Sequence, residues 1–367
     1  MQWLDENQEI TPGLLTHVDR CLHCGACEAM CPSLVPFGAL MDSARARLTG
    51  QRKQRLIERV FSRISTLLLT SPPALRLASP LLDVYRRLGL PVLLGKLPGP
   101  AGRINRLLTH TRNYRGQQKP APATERRGEA HNLVHIFPGC TGQALDSQTL
   151  LDSQKLLHAL GFNAISSRDT ACCGALHQHS GQTDTASSMA GQNRAALNDD
   201  APIISIASGC AAHLKNYDAF DAKDSSTSFS SRVSEIMAFL ARQNPADLHF
   251  TPCETPVGVY IPCTQRNALQ QSQAVFDVLS WIPQLELRHV NPQGGCCGAA
   301  GSYMLKQPEI SDALGDAVVE RVIDCGVRTL VTTNIGCSIQ LQARLRTRGV
   351  AVEVIHPVTL LWRQLND

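Results

Sequence analysis

From residue 133 onward, apolar positions gather into short continuous runs separated by longer stretches with helical spacing. One pair of runs is Leu133-Val-His-Ile-Phe-Pro-Gly-Cys140 and Pro202-Ile-Ile-Ser-Ile-Ala-Ser-Gly-Cys210. A second pair is Val257-Gly-Val-Tyr-Ile-Pro-Cys263 and Thr329-Leu-Val-Thr-Thr-Asn-Ile-Gly-Cys337. Short apolar runs bounded by Pro and Gly predict buried strands. Strands alternating with helices predict an α/β domain with a largely parallel sheet. Each run ends on cysteine, and between the runs of each pair stands Cys-Cys-Gly, at Cys172, Cys173, Gly174 and at Cys296, Cys297, Gly298. Cys140 and Cys263, Cys172 and Cys296, and Cys210 and Cys337 lie 123, 124 and 127 residues apart. So small a drift predicts two copies of one domain with short loop insertions.

The preceding part of the chain is patterned differently. Arg52, Lys53, Arg55, Arg59 and Arg63 alternate with Leu56, Ile57, Val60, Phe61 and Ile64 at helical spacing, which predicts an amphipathic helix with a basic face. Its expected contact is the membrane surface or a partner protein, with a core-packed helix carrying a solvated basic side as the other reading. Six prolines between Pro72 and Pro100 then break the chain into short pieces, and the polar segment Gln117 to Glu129 reads as a linker. The expected division is residues 1–50 for a ferredoxin-type module, 51–130 for a helical and linker region, and 131–250 and 251–367 for the two repeats. The fold class is accordingly α/β, with an N-terminal ferredoxin-like α-helical cluster domain followed by two repeated α/β cysteine-rich domains.

Composition narrows the function. The 367 residues are 43% hydrophobic and 18% charged, with a formal net charge of +4, ordinary for a globular protein. The charge is too small, and basic tails too absent, to predict a nucleic-acid partner. Met1 to Glu9 is polar and acidic, unlike a secretory signal, and no apolar run approaches the ~18 residues of a membrane span. These features predict a cytoplasmic protein, with peripheral attachment to the inner face of the plasma membrane as an option. Disulfides are rare in that compartment, so the fourteen cysteines are expected to be metal ligands or redox groups.

Cys21-x-x-Cys24-x-x-Cys27-x-x-x-Cys31-Pro32 is the bacterial ferredoxin spacing. Zinc sites more often bring two separated Cys-x-x-Cys pairs, so a [4Fe–4S] cluster is expected on Cys21, Cys24, Cys27 and Cys31. In two-cluster ferredoxins the fourth cysteine of such a run serves the other cluster, which leaves the fourth ligand open. It comes from Cys31 folding back, from Cys253, from Cys325 or from a partner chain. For Cys253 and Cys325 the simpler expectation is a small buried hydrophobe.

Each repeat assembles a second kind of set: Cys140, Cys172, Cys173 and Cys210 in the first, Cys263, Cys296, Cys297 and Cys337 in the second. Adjacent cysteines do not readily bridge to each other, so convergence on a metal is the stronger reading. A further iron–sulfur cluster and zinc both suit four thiolates. A cysteine pair cycling in disulfide chemistry is the alternative. In a parallel sheet these cysteines belong at the carboxyl edge, beside helix N-termini that favour thiolate. His177, His179 and His213 lie close by in sequence. His177 is expected at a domain surface, and the other two as ligands, hydrogen-bond partners or surface groups.

The chain resembles the iron–sulfur subunit of bacterial glycolate oxidase, within the group that shares the heterodisulfide-reductase-type cysteine-rich domain. The residues carrying the resemblance are His17-Val-Asp-Arg-Cys-Leu-His-Cys-Gly-Ala-Cys27, Ala171-Cys-Cys-Gly-Ala175, Ala207-Ser-Gly-Cys210 with Lys215-Asn-Tyr217, Pro262-Cys-Thr264, Cys296-Cys-Gly-Ala-Ala-Gly-Ser-Tyr303 and Asn334-Ile-Gly-Cys337. The resemblance implies an electron-transfer subunit with no substrate site of its own. It would take electrons from an FAD-containing 2-hydroxy-acid (glycolate- or lactate-type) dehydrogenase subunit and pass them to the membrane quinone pool or another acceptor. The family usually carries two ferredoxin-type runs, and this chain has one. Histidines that the family commonly places beside the second-repeat cysteines are absent, with Tyr260 and Gln340 near those positions. Two other functions compete: a heterodisulfide-reductase-like thiol/disulfide oxidoreductase, and a zinc-binding scaffold. Cys210-Ala-Ala-His213 and Cys337-Ser-Ile-Gln340, in place of a terminal Cys-x-x-Cys, count against the first. No Gly-x-Gly-x-x-Gly is evident, so flavin or nicotinamide is expected elsewhere.

Overall fold

The structure is a computed structural model that describes residues 11–51, 132–142, 145–167, 169–220 and 228–366, with residues 84–85, 88–90 and 94 between them. The basic segment from Arg52 to Leu69 and the linker from Gln117 to Glu129 lie outside the described residues.

Among the described residues, eight strands form two parallel four-stranded sheets. In the first, β1 (Leu133–Phe137), β2 (Asn163–Ile165), β3 (Ile203–Ser205) and β4 (Val233–Glu235) lie in the order β2-β1-β3-β4. In the second, β5 (Val257–Val259), β6 (Leu287–His289), β7 (Thr329–Val331) and β8 (Glu353–Ile355) repeat that order as β6-β5-β7-β8. The continuous apolar runs are explained by burial: β3 and β5 are buried at every position, as strands covered on both faces must be. Val134, Ile136, Ile204 and Ile236 of the first repeat share one core with Val257, Val259, Val331 and Ile355 of the second. The helices Ser147–Ala159 and Pro357–Gln364 pack against each other across this junction.

The strand order places the functional edge. The chain leaves β1 towards β2 on one side and returns to β3 on the other, so the carboxyl ends of β1 and β3 flank a topological switch point, where α/β sheets gather ligands. Cys140 and Cys210 follow those two ends, and Cys263 and Cys337 follow β5 and β7. The strands stop short of the cysteines, however, contrary to the expectation that each run is strand up to its thiol. Cys140, Cys210 and Cys337 sit in the first turn of the helices Gly139–Gly142, Ser208–Leu214 and Ile335–Thr347. Cys263 precedes a wide turn over Thr264–Ala268, closed by Leu269 N–H donating to the Thr264 carbonyl at 2.9 Å. Gly139 opens the first of these helices, Ala207 precedes the second, and Asn334 caps the third by accepting from Gly336 N–H at 2.9 Å, so the strand conformation ends before each thiol.

The N-terminal module comprises the helices Pro12–Arg20, Ala26–Ala29 and Phe37–Gln51. Thr11 caps the first, accepting from Leu14 N–H at 3.2 Å, with Pro12 at its start.

Candidate metal centre

In the first repeat, the Sγ atoms of Cys140 and Cys172 are 3.5 Å apart, and Cys173 hydrogen-bonds with both Cys172 and Cys210. In the second, the Sγ atoms of Cys297 and Cys337 are 2.8 Å apart, and Cys296 accepts from both Cys263 and Cys297. All four predicted cysteines of each repeat therefore converge. The electrostatic pattern is the same twice over. Hydrogen bonding with Cys140 and Cys173 holds the Cys172 thiol well below its ordinary range, while that bonding and burial push Cys140 and Cys173 up. Hydrogen bonds from Cys263 and Cys297 lower Cys296 to about 3, and Cys263 and Cys297 are raised in return. Four sulfurs crowd together in each repeat, Cys140, Cys172, Cys173, Cys297 and Cys337 buried and the others half-buried, an arrangement whose thiolates a thiophilic cation would stabilise.

Buried polar networks set each Cys-Cys-Gly turn. In the first repeat Asn193, fully buried, accepts from Ala171 N–H at 2.7 Å and donates to the Cys172 carbonyl at 3.0 Å and to the Tyr217 hydroxyl at 2.9 Å. Tyr217 in turn donates to the Cys173 carbonyl at 2.7 Å. In the second repeat Ser311 donates to the Gly298 carbonyl at 2.8 Å and accepts from Gln340 at 3.0 Å. Gly298 is at φ +81°, and a Cβ there would stand 2.3 Å from the Ser311 carbonyl oxygen, so glycine is obligatory at this close approach. Gly298 N–H also donates to Cys296 Sγ at 3.4 Å, and the Gly174 N–H does the same for Cys172.

The histidine expectations need correction. His177 is buried rather than at a surface, with Nδ1 2.8 Å from Gln182 Oε1. His213 is buried too, and its pKa falls to about 4 through burial and the neighbouring His179. Tyr260 donates to the Gly295 carbonyl at 3.0 Å, and its hydroxyl is pushed up by burial and by Cys297, Cys337, Cys296 and Cys263. Cys253 and Cys325 are not near the thiol sets. Cys253 lies before β5 and Cys325 ends the helix Pro308–Cys325 before β7, which puts both at the opposite, amino edge of the second sheet, packed against its cores.

The ferredoxin-type run lies against these sites. His23 takes a left-handed φ of 54° and Gly25 one of 70°, a tight turn in which His23 N–H points at Cys21 Sγ, 3.5 Å away. Burial raises the Cys24 thiol, and so do the charges of Cys296, Cys21 and Cys27, with Cys296 the strongest of the three. Cys24 acts on Cys263 as well. Asn267 donates to the Cys24 carbonyl at 2.8 Å. Tyr303 and His179, each six residues after the second cysteine of its Cys-Cys pair, both grip the module. Tyr303 donates to the Arg20 carbonyl at 3.0 Å, and His179 Nδ1 lies 3.0 Å from Asp42 Oδ1. Sequence reasoning missed this docking, because its partners are separated by up to 283 residues.

Residues 134–215 and 257–342 match the cysteine-rich domain family, CCG. The chain thus carries two copies of this cysteine-rich domain. It is also homologous to iron–sulfur subunits: it is 29% identical over 362 residues to the probable glycolate oxidase iron-sulfur subunit of Bacillus subtilis, spanning 93% of this chain and 81% of that one. The glycolate oxidase iron-sulfur subunit of Escherichia coli is 27% identical over 356 residues, spanning 93% and 82%. Lactate utilization protein A of Shouchella clausii is 23% identical over 233 residues, 62% of this chain and 98% of that one. Among solved structures, a hypothetical protein from Helicobacter pylori matches with a TM-score of 0.50 and 13% identity, over 75% of this chain and 56% of that one; this likeness concerns the fold alone.

Proposed function

We propose that the chain is the iron–sulfur electron-transfer subunit of a flavin-dependent 2-hydroxy-acid dehydrogenase of glycolate or lactate type. It takes electrons from an FAD-containing subunit and delivers them towards quinone. The observation that carries this reading is the adjacency of sulfur sites: the ferredoxin-type run is docked on the second repeat, with Asn267 donating to the Cys24 carbonyl at 2.8 Å and Tyr303 to the Arg20 carbonyl at 3.0 Å. Contiguous sulfur sites suit stepwise one-electron transfer. The names of the relatives point the same way.

Cys21, Cys24, Cys27 and Cys31 are the proposed holders of a [4Fe–4S] cluster. Cys140, Cys172, Cys173 and Cys210, and Cys263, Cys296, Cys297 and Cys337, hold a further iron–sulfur cluster or zinc. The donor sets fit, since four sulfurs converge in each repeat where a dithiol mechanism needs two. A bound cluster supplies reversible one-electron chemistry. The chain's own residues hold the sulfurs, exclude water, and donate N–H groups of His23, Gly174 and Gly298 to sulfur, which tunes potential. The proposed units are residues 1–50, 51–130, 131–250 and 251–367. Among the described residues no helix is long and apolar enough to cross a membrane, and the proposed location is cytoplasmic, at most peripheral to the membrane.

The test is a redox titration of anaerobically purified protein, counting electrons accepted per chain. Uptake of more than one electron, with iron present, supports the proposal. A chain that holds zinc alone and accepts none contradicts it and leaves the scaffold reading.

A further inference from the structure

Beside the sulfur sites lies a cluster of different chemistry. His23 comes from the ferredoxin-type loop, Asp42 from the helix Phe37–Gln51, and His179 from the turn after the first Cys-Cys-Gly. Asp42 Oδ1 is 3.7 Å from His23 Nδ1 and 3.0 Å from His179 Nδ1, and the three donor atoms all lie within 4.8 Å of one another. The two imidazoles stack with ring centroids 3.9 Å apart. We infer that His23, Asp42 and His179 form a binding site for a divalent transition cation of zinc type, which fastens the N-terminal module to the first repeat.

Three observations carry it. The first is donor spacing. Zinc–nitrogen and zinc–oxygen bonds of ~2.0–2.2 Å at tetrahedral angles place donors ~3.3 Å apart, and 3.0 and 3.7 Å bracket that separation. The second is an idle lone pair: His23 Nδ1 is buried and makes no hydrogen bond, the condition a ligand relieves. The third is the surroundings. Arg45 directs its guanidinium at the carbonyls of His179, Val18 and Cys21 at 3.0, 3.1 and 2.7 Å rather than at the Asp42 carboxylate. Gln178 hydrogen-bonds that carboxylate, the outer support that metal-bound carboxylates usually have. The His179 side chain is 34% exposed against 17% for His23 and 13% for Asp42, so a fourth position opens to water on the His179 side. Two nitrogens and one carboxylate with an open position suit zinc and its neighbours better than calcium or magnesium, which take oxygen donors. The assignment does not rest on the electron-transfer reading, because none of its ligands is a cysteine.

The experiment compares zinc, iron and acid-labile sulfide per chain in the full-length, anaerobically purified protein after dialysis against zinc and desalting. Asp42→Asn and His179→Gln should each lose one equivalent of zinc while iron and sulfide stay unchanged. Zinc-edge anomalous diffraction from zinc-soaked wild-type crystals supplies a readout free of any folding defect in the variants, with a peak expected among the three donor atoms. Equal zinc in wild type and both variants, or no anomalous peak at that position, would overturn the assignment.

Discussion

Replacing Asn193 by alanine tests how the first Cys-Cys-Gly turn is held. Asn193 is fully buried and serves three groups: the Ala171 N–H, the Cys172 carbonyl and the Tyr217 hydroxyl. Asn193→Ala strands the first two, and each buried polar group left unsatisfied costs about 1–3 kcal/mol. The expected loss is about 3 kcal/mol, concentrated in the turn. Since every 1.4 kcal/mol is tenfold in an equilibrium, opening of residues 170–174 should become on the order of a hundredfold more frequent. Hydrogen exchange read by mass spectrometry on peptides covering that segment is the assay, with the equivalent turn at Cys296 as the internal control. Tyr217→Phe removes the hydroxyl that links Asn193 to the Cys173 carbonyl and should cost about 1–2 kcal/mol. Because the two residues share a hydrogen bond, the double variant should cost less than the sum of the singles, by about 1 kcal/mol. Less than threefold faster exchange in Asn193→Ala, or equal acceleration in both repeats, would refute the reasoning.

Other outcomes follow from the same structure. Glu235 is fully buried, accepts from Met237 N–H, Ala238 N–H and Gln265, and burial raises its carboxyl to about 7. The unfolded chain loses this proton near 4.5 and the folded one near 7, so the contribution is fully present below pH 4.5 and lost as pH rises to 7, by about 3 kcal/mol. Glu235→Gln should abolish that fall in a wild-type-minus-variant urea stability profile; parallel profiles would contradict it. His356 works in the opposite direction. Burial lowers it to about 3, so stability is lost as pH falls from about 6.5 towards 3, and His356→Gln should flatten the acid limb in the same assay. Cys24→Ser should remove or reshape the low-temperature paramagnetic resonance signal of dithionite-reduced protein, and an unchanged spectrum would exclude Cys24 as a ligand.

The repeat, the alternation of strand and helix, and the grouping of cysteines were legible in the sequence, because each depends on local pattern. Val257 to Val259 reads as a strand from its composition, and burial on both faces follows from the continuous run. The ends of the runs misled: Ile206 to Cys210 is apolar and small, which suits strand, yet Ala207 starts a helix whose first turn carries the thiol. His177 misled for a related reason, since a polar residue after a glycine turn is usually exposed, whereas here Gln182 satisfies it below the surface. The docking of the N-terminal module had no local signal at all. Contacts such as Tyr303 with Arg20 and Asn267 with Cys24 join single polar residues across the whole chain, and no periodicity announces them.

The central claim is that both repeats, like the N-terminal run, gather thiolates around metal. The direct measurement is iron, acid-labile sulfide and zinc per chain in anaerobically purified wild type, Cys173→Ser and Cys297→Ser. Metal in wild type should exceed one [4Fe–4S] cluster, and each variant should lose the metal of its own repeat while keeping that of the other. Metal content that equals the N-terminal cluster alone, and is unchanged in both variants, would contradict the account and bring the thiol/disulfide reading to the front.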